Sequence, residues 1–80
     1  MSDVRSACIK VFSNVLNVDA GLINDDASPE TLFEWDSLAH VQLMLELEKE
    51  FSIEISPDQA LEFESFKMIV DWLEVQQNKN

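Results

Sequence analysis

The residues most able to do chemistry stand together in the middle of the chain, where Ser37 follows Asp36 and precedes the single histidine, His40. A serine and a histidine are two parts of a hydrolase triad, but here they lie three positions apart on one predicted helix. No Gly-x-Ser-x-Gly turn surrounds Ser37, and no oxyanion hole is suggested. The pattern argues against hydrolysis at Ser37.

Ser37 stands where a helix is expected to begin, and that position has two interpretations. Asp36 and Ser37 are residue types that commonly cap helices, and most such serines do nothing more. The same position also suits a phosphate ester, because unpaired N–H groups and the positive end of the helix dipole stabilise negative charge there.

The other candidate sites are weaker. An EF-hand beginning at Asp25 would need oxygen ligands where Ala27 and Pro29 stand and a glycine where Glu30 stands, so no metal site is predicted. Cys8 falls on the apolar face of a predicted helix and is expected to be a small buried side chain. His40 is expected to be packed and hydrogen-bonded.

Helical spacing of the apolar residues indicates the elements that position Ser37. With one glycine and two prolines, the sequence has few of the residues that form the tight turns of β-hairpins. The pattern predicts an all-α fold over residues 1–80: a single four-helix bundle with three longer helices and one short one. The helices are expected from near Asp3 to Asn17, from Asp36-Ser37 to about Glu50, from the Ser56 cap to near Glu62, and from the Ser65 cap onward.

Residues 18–35 form a long connection between the first and second helices. Since a structureless loop of that length is uncommon in a compact domain, an ordered loop is expected, with a short helical turn. Four apolar residues are predicted to pin it to the bundle, namely Leu22, Ile23, Leu32 and Phe33.

The second helix is apolar around more of its surface than a surface helix needs. His40, Leu43, Met44 and Leu47 share one sector that is expected to face the core. A second set, Leu38, Val41 and Leu45, has two possible roles: burial on another side of the helix, or a partly exposed protein-binding patch rimmed by Glu46, Glu48 and Glu50.

The charge of the chain restricts its partners. Five basic and sixteen acidic residues give a net charge of −11, which disfavours nucleic acid and favours proteins with basic surfaces. The single cysteine indicates a reducing compartment, and neither a secretory signal nor a membrane span is visible, so a cytoplasmic location is expected. A monomer is the simplest state for so small a protein.

The run Glu34-Trp35-Asp36-Ser37-Leu38, with the acidic helix after it and the Phe51-x-Ile53-x-Ile55 segment, resembles the acyl carrier protein family. A terminal helix containing Ile69-Val70-Asp71-Trp72-Leu73 extends the resemblance over nearly the whole chain.

The resemblance implies a carrier of acyl thioesters on a 4′-phosphopantetheine arm that a phosphopantetheinyl transferase attaches to Ser37. It also implies that the protein has no catalytic machinery of its own and is not an enzyme. Asp36 and Leu38 match the neighbours presented to that enzyme. Val41, Leu45, Glu46 and Glu48 match the helix that docks on basic patches of loading and transfer enzymes in fatty-acid, polyketide or related biosynthesis.

Certain residues depart from the usual fatty-acid carriers and resemble more specialised ones. Trp35 stands where a small residue is common, and the recognition face is less acidic at Ala39, Gln42 and Lys49. An aminoacyl or peptidyl carrier of the same fold is one alternative, and a small acidic helical adaptor for a basic partner is another. The interior is apolar and includes the flexible side chain of Met44. Together with the resemblance, this predicts that the bundle interior takes up part of an acyl chain.

Overall fold

The computed structural model describes residues 4–78 and has four α-helices and one 3-10 turn, with no strand in that range. Helix α1 (Val4–Leu16) packs against both α2 (Ser37–Phe51) and α4 (Phe66–Gln77). The all-helical prediction, with three longer helices and one short one, is confirmed. The helices are α1 (Val4–Leu16), α2 (Ser37–Phe51), α3 (Pro57–Glu62) and α4 (Phe66–Gln77), and the 3-10 turn spans Ala20–Leu22. Asp3, where the first helix was expected to begin, lies outside the described residues.

The starts of α3 and α4 follow from their capping serines. The Ser56 hydroxyl accepts a hydrogen bond from the backbone N–H of Gln59, and Pro57 occupies the first helical position. The Ser65 hydroxyl accepts from the backbone N–H of Met68 in the same way. Both predicted caps are confirmed, and each satisfies an N–H that the helix itself leaves unpaired.

The core lies where α1, α2 and α4 meet. Phe12 packs edge-on against both Trp35 and Phe66, with ring centroids 5.0 Å apart in each pair. Leu43 and Leu47 of α2 are fully buried beside them, as the helical spacing predicted. None of the α-helices between residues 4 and 78 is long and apolar enough to cross a membrane.

The loop between α1 and α2 is ordered and is tied to the helices by specific contacts. The Phe66 backbone N–H donates to the carbonyl oxygen of Ala27 at 2.9 Å, which joins the loop to the start of α4. Arg5 of α1 forms an ion pair with Asp25 at 2.7 Å. The predicted helical turn is present as Ala20–Leu22.

The residues that anchor this loop differ in part from those expected. Ile23 and Leu32 are buried as predicted, but Leu22 is 53% exposed and Phe33 is 86% exposed, so those two anchors were wrong. In each adjacent pair one side chain points inward and its neighbour points outward. Ala27 and Trp35 are the other buried anchors of the loop. The large Trp35 indole occupies the core in place of the Phe33 ring.

The end of α2 stores backbone strain at Ser52, which has φ 55° and ψ 48°. This left-handed conformation costs a residue with a β-carbon about 1–2 kcal/mol. We expect Ser52→Gly to raise the free energy of unfolding by about 1 kcal/mol in urea titrations. The control is Ser6→Gly on the exposed face of α1, which should lower stability because glycine is a poor helix former. Equal effects of the two substitutions would contradict this assignment of strain.

The acidic residues repel one another across this small bundle. Three ion pairs join described residues: Arg5 with Asp25, Lys49 with Glu46 and Lys67 with Asp71. Thirteen acidic residues and one base lie between positions 19 and 64. We expect the thermal midpoint to rise when NaCl is raised from about 0.01 M to about 0.15 M, because the Debye length falls from about 30 Å to about 8 Å. A midpoint that does not change with salt would contradict this account.

Candidate functional site

Ser37 is the first residue of α2, and its side chain is exposed. The residue before it, Asp36, supplies the helix cap: its carboxylate Oδ1 accepts a hydrogen bond from the backbone N–H of Ala39 at 2.8 Å. Capping by Asp36 leaves the Ser37 hydroxyl without a structural task. Within residues 4–78 this hydroxyl makes no hydrogen bond, in contrast to the capping hydroxyls of Ser56 and Ser65.

His40 lies one helical turn from Ser37 but is bonded elsewhere. Its Nδ1 accepts a hydrogen bond from the Trp35 indole Nε1–H at 2.9 Å, so the ring proton sits on Nε2. That Nε2–H donates to the carbonyl oxygen of Ala60 on α3 at 2.7 Å. Because both ring nitrogens are engaged, His40 is not placed to take a proton from Ser37. The prediction of a packed, hydrogen-bonded histidine is confirmed.

A groove of about 540 Å³ opens beside Ser37, between the start of α2 and α3. Its lining is largely apolar. Trp35 and His40 form part of it, and the exposed side chains of Val41 and Leu61 stand at opposite sides. The contribution of α3 to this groove was not predicted from the sequence. The apolar pair Ala60-Leu61 within a helix of six residues was the available signal.

The outer face of α2 carries an exposed line of apolar side chains. Leu38 is 69% exposed, Val41 56% and Leu45 53%, while Leu43, Met44 and Leu47 are buried on the opposite face. Of the two roles left open for this line, exposure is the one that the structure shows. Spacings of three and four residues place the three side chains on one surface that a partner could contact.

Two of the three acidic residues predicted beside this line, Glu46 and Glu48, have different environments. The Glu46 side chain is exposed, and its Oε2 lies 3.7 Å from the Nζ of Lys49. Glu48 is half-buried, and its Oε2 accepts a hydrogen bond from the backbone N–H of Ile55 at 2.8 Å. Glu48 therefore ties the segment after α2 back onto the helix, a structural role that its charge alone did not reveal.

These residues fit a covalently attached phosphodiester. The Ser37 hydroxyl is exposed and free of hydrogen bonds within residues 4–78, and it stands at the positive end of a helix of 15 residues, which favours the negative charge of a phosphate. The adjoining apolar groove can contact a flexible arm. No three His, Cys, Asp or Glu side chains come together as a metal site within the described part of the chain.

The only cysteine of the sequence, Cys8, is fully buried in α1. Burial, reinforced by the Glu74 carboxylate, raises the pKa of the Cys8 thiol to about 12. The unfolded thiol ionises near pH 8.5. Burial of the neutral thiol therefore favours the folded state fully below that pH, and the contribution is lost as the pH rises towards the folded value.

We expect Cys8 of the unmodified protein to resist an aromatic disulfide reagent at pH 8, because the thiolate is the reactive form and the side chain is inaccessible. In a denaturing concentration of urea the same thiol should react within the mixing time of a manual assay. Absorbance of the released thiol measures both rates. Rapid labelling of the native protein would show that α1 does not bury Cys8 as described.

Comparison with known proteins identifies the family. Residues 9–73 match the family described as phosphopantetheine attachment site. The chain is 36% identical over 74 residues to an acyl carrier protein of Porphyromonas gingivalis, covering 92% of this chain and 95% of that one. It is 32% identical over 80 residues to an acyl carrier protein of Buchnera aphidicola subsp. Schizaphis graminum, covering 100% and 98% of the two chains.

The matched region contains the start of α2, the exposed apolar line and both walls of the groove. Both named relatives are acyl carrier proteins that align over almost their whole length. The chain belongs to the acyl carrier protein family, and it carries acyl groups on a covalently attached 4′-phosphopantetheine.

Proposed function

We propose that Ser37 is the residue to which the phosphopantetheine arm is attached. The observation that carries the proposal is that Asp36 and not Ser37 caps α2. The neighbouring Ser37 hydroxyl is therefore exposed and makes no hydrogen bond to the described residues. Ser56 and Ser65 begin helices too, but their hydroxyls are occupied as caps. Ser37 is thus the serine at a helix start whose modification would leave the local structure intact.

The attachment step needs no catalytic group from this chain. The Ser37 hydroxyl gives up its proton and forms a phosphodiester with the phosphorus on the pantetheine side of coenzyme A. The pyrophosphate bond of coenzyme A breaks, and adenosine 3′,5′-bisphosphate leaves. Because His40 is bonded to Trp35 and Ala60, we assign the general base to the phosphopantetheinyl transferase. On this account the chain is a substrate and carrier and not a catalyst.

Partner recognition is proposed to lie on α2. Leu38 and Asp36 flank Ser37 and would meet the modifying transferase first. Val41 and Leu45 supply apolar contact along the exposed face, and Glu46 supplies exposed charge toward basic patches on loading and transfer enzymes. Glu48 adds negative charge to this surface while holding Ile55, so its contribution to docking is mixed with a structural one.

The remaining parts of the proposal follow from the family and the composition. Fatty acid biosynthesis is the usual role of acyl carrier proteins. We propose that this carrier works in the cytoplasm, either in fatty acid biosynthesis or in a related pathway such as polyketide assembly. We propose that the carrier works as a monomer, since association and release from successive enzymes requires the α2 face to be free.

The test is incubation of the unmodified protein with coenzyme A and a phosphopantetheinyl transferase of broad specificity, followed by intact mass measurement. The expected result is a gain of one phosphopantetheinyl group per chain. An acidic adaptor that uses Leu38, Val41 and Leu45 to bind a basic helix would gain no mass while a control carrier in the same reaction did. That outcome would overturn the proposal.

A further inference from the structure

The Trp35 side chain separates the groove beside Ser37 from the interior of the bundle. One part of the indole lines the groove, and its ring packs edge-on against Phe12 of the core at 5.0 Å between centroids. Only 2% of Trp35 is exposed. An apolar chain that passes from the groove toward Phe12 must therefore displace this indole.

Two hydrogen bonds hold the indole in place. Trp35 donates to His40 of α2, and His40 donates to the Ala60 carbonyl of α3, at 2.9 Å and 2.7 Å. The two ring planes are nearly parallel, with an angle of 19° between them. This chain of bonds joins the loop, α2 and α3 across the base of the groove. Opening it without water would leave partly buried donors and acceptors unpaired.

The space behind Trp35 is already filled. Phe12 and Phe66 pack edge-on at 5.0 Å, and both are fully buried, as is Leu43 of α2. Interiors packed in this way do not accept extra methylene groups without moving side chains off their preferred rotamers. Entry of an acyl chain would have to break the hydrogen bonds and also displace packed rings.

We propose that Trp35, positioned by His40, is a specificity-determining residue that closes the bundle interior to the acyl cargo. The cargo stays in the open groove or in solvent, so the carrier is suited to short or polar acyl groups. This inference rests on the proposed attachment at Ser37, and it replaces the expectation from sequence that the interior takes up part of the chain.

The experiment compares the protein loaded with acetyl-phosphopantetheine and with octanoyl-phosphopantetheine, transferred from the corresponding coenzyme A thioesters. In the natural sequence, the two forms should have the same thermal midpoint within about 1 °C. The methyl NMR signals of Leu43 and Leu73, which are both fully buried in the core, should have the same chemical shifts in the two forms. In Trp35→Leu the octanoyl form should melt at least about 4 °C above the acetyl form, because the chain enters the vacated space. The control is Phe51→Leu at the opposite end of α2 from Ser37, an aromatic residue that packs on the core outside the groove lining, where no such difference is expected.

Two further variants address folding and the role of His40. Trp35→Phe keeps an aromatic ring but lacks the N–H donor, so it should show a smaller difference of the same sign even if Trp35→Leu does not fold. His40→Leu, which can accept no hydrogen bond, should allow the octanoyl chain to shift the core methyl signals. His40→Gln offers both a hydrogen-bond acceptor and a donor, so in this variant the octanoyl chain should leave the core methyl signals unshifted, as in the natural sequence.

Two results would overturn the inference. The first is an octanoyl chain that raises the midpoint and shifts the core methyl signals of the natural sequence. The second is a Trp35→Leu or Trp35→Phe variant that folds yet responds no differently from Phe51→Leu. Failure of the attachment at Ser37 is distinguishable, because loading would then give no mass gain at Ser37 and no loaded protein for comparison.

Discussion

Replacement of Ser37 by alanine is expected to abolish addition of the phosphopantetheinyl group, while the free energy of unfolding changes by less than about 0.5 kcal/mol. The hydroxyl is the proposed nucleophile, and within residues 4–78 it bonds to no other group. Alanine is also a good helix former at this exposed position. Intact mass after transferase treatment measures the first effect, and urea denaturation measures the second.

The matched control is Ser56→Ala, in which the opposite pattern is expected. The Ser56 hydroxyl caps α3 by accepting from the Gln59 N–H, so its loss should cost about 1 kcal/mol of stability. Modification should proceed to completion at the rate of the natural sequence. A Ser37→Ala protein that still gained the phosphopantetheinyl mass would refute the assignment of Ser37, whatever its stability.

Reversal of charge at Glu46 is expected to slow phosphopantetheine transfer by about tenfold at low ionic strength. Glu46 is exposed beside the apolar line of α2, where a lysine would repel the basic docking patch of the transferase. The deficit of Glu46→Lys should shrink at high salt, since screening weakens long-range attraction in the natural protein as well. Initial rates at two salt concentrations, with coenzyme A saturating, measure the effect.

Two controls separate docking from structure. Glu74→Lys makes the same change of charge on α4, away from the docking face, and should leave the transfer rate nearly unchanged. Glu48→Gln removes a charge on α2 but keeps an oxygen that can accept from the Ile55 N–H, so it should lose rate without losing stability. If Glu46→Lys and Glu74→Lys slowed transfer equally, the net charge and not the α2 face would control docking.

The helices and caps of this protein follow from residue patterns that are local in the sequence. Ser56, followed by Pro57 and then Gln59, encodes the start of α3 in four residues, and the structure shows the bond that the pattern implies. The exposed line on α2 also follows from spacing once a core-facing sector is assigned. Such features depend on neighbours within one helical turn, and for that reason they were predictable.

The loop and the groove depend on contacts between distant positions, which spacing does not encode. Leu22 and Phe33 are as apolar as Ile23 and Leu32, and only the turn geometry determines which of each pair points inward. The bond from His40 to Ala60 spans 20 residues, and it depends on how α3 returns across α2. Glu48 likewise carried a charge that suggested docking, whereas its bond to Ile55 could be recognised only in three dimensions.

Attachment at Ser37 is tested by fragmentation mass spectrometry of the transferase-treated protein, which locates the added group. We expect the phosphopantetheinyl mass on Ser37 alone, within the peptide that contains Trp35 and Asp36. Modification at Ser28, Ser56 or Ser65 with an unmodified Ser37 would contradict this expectation.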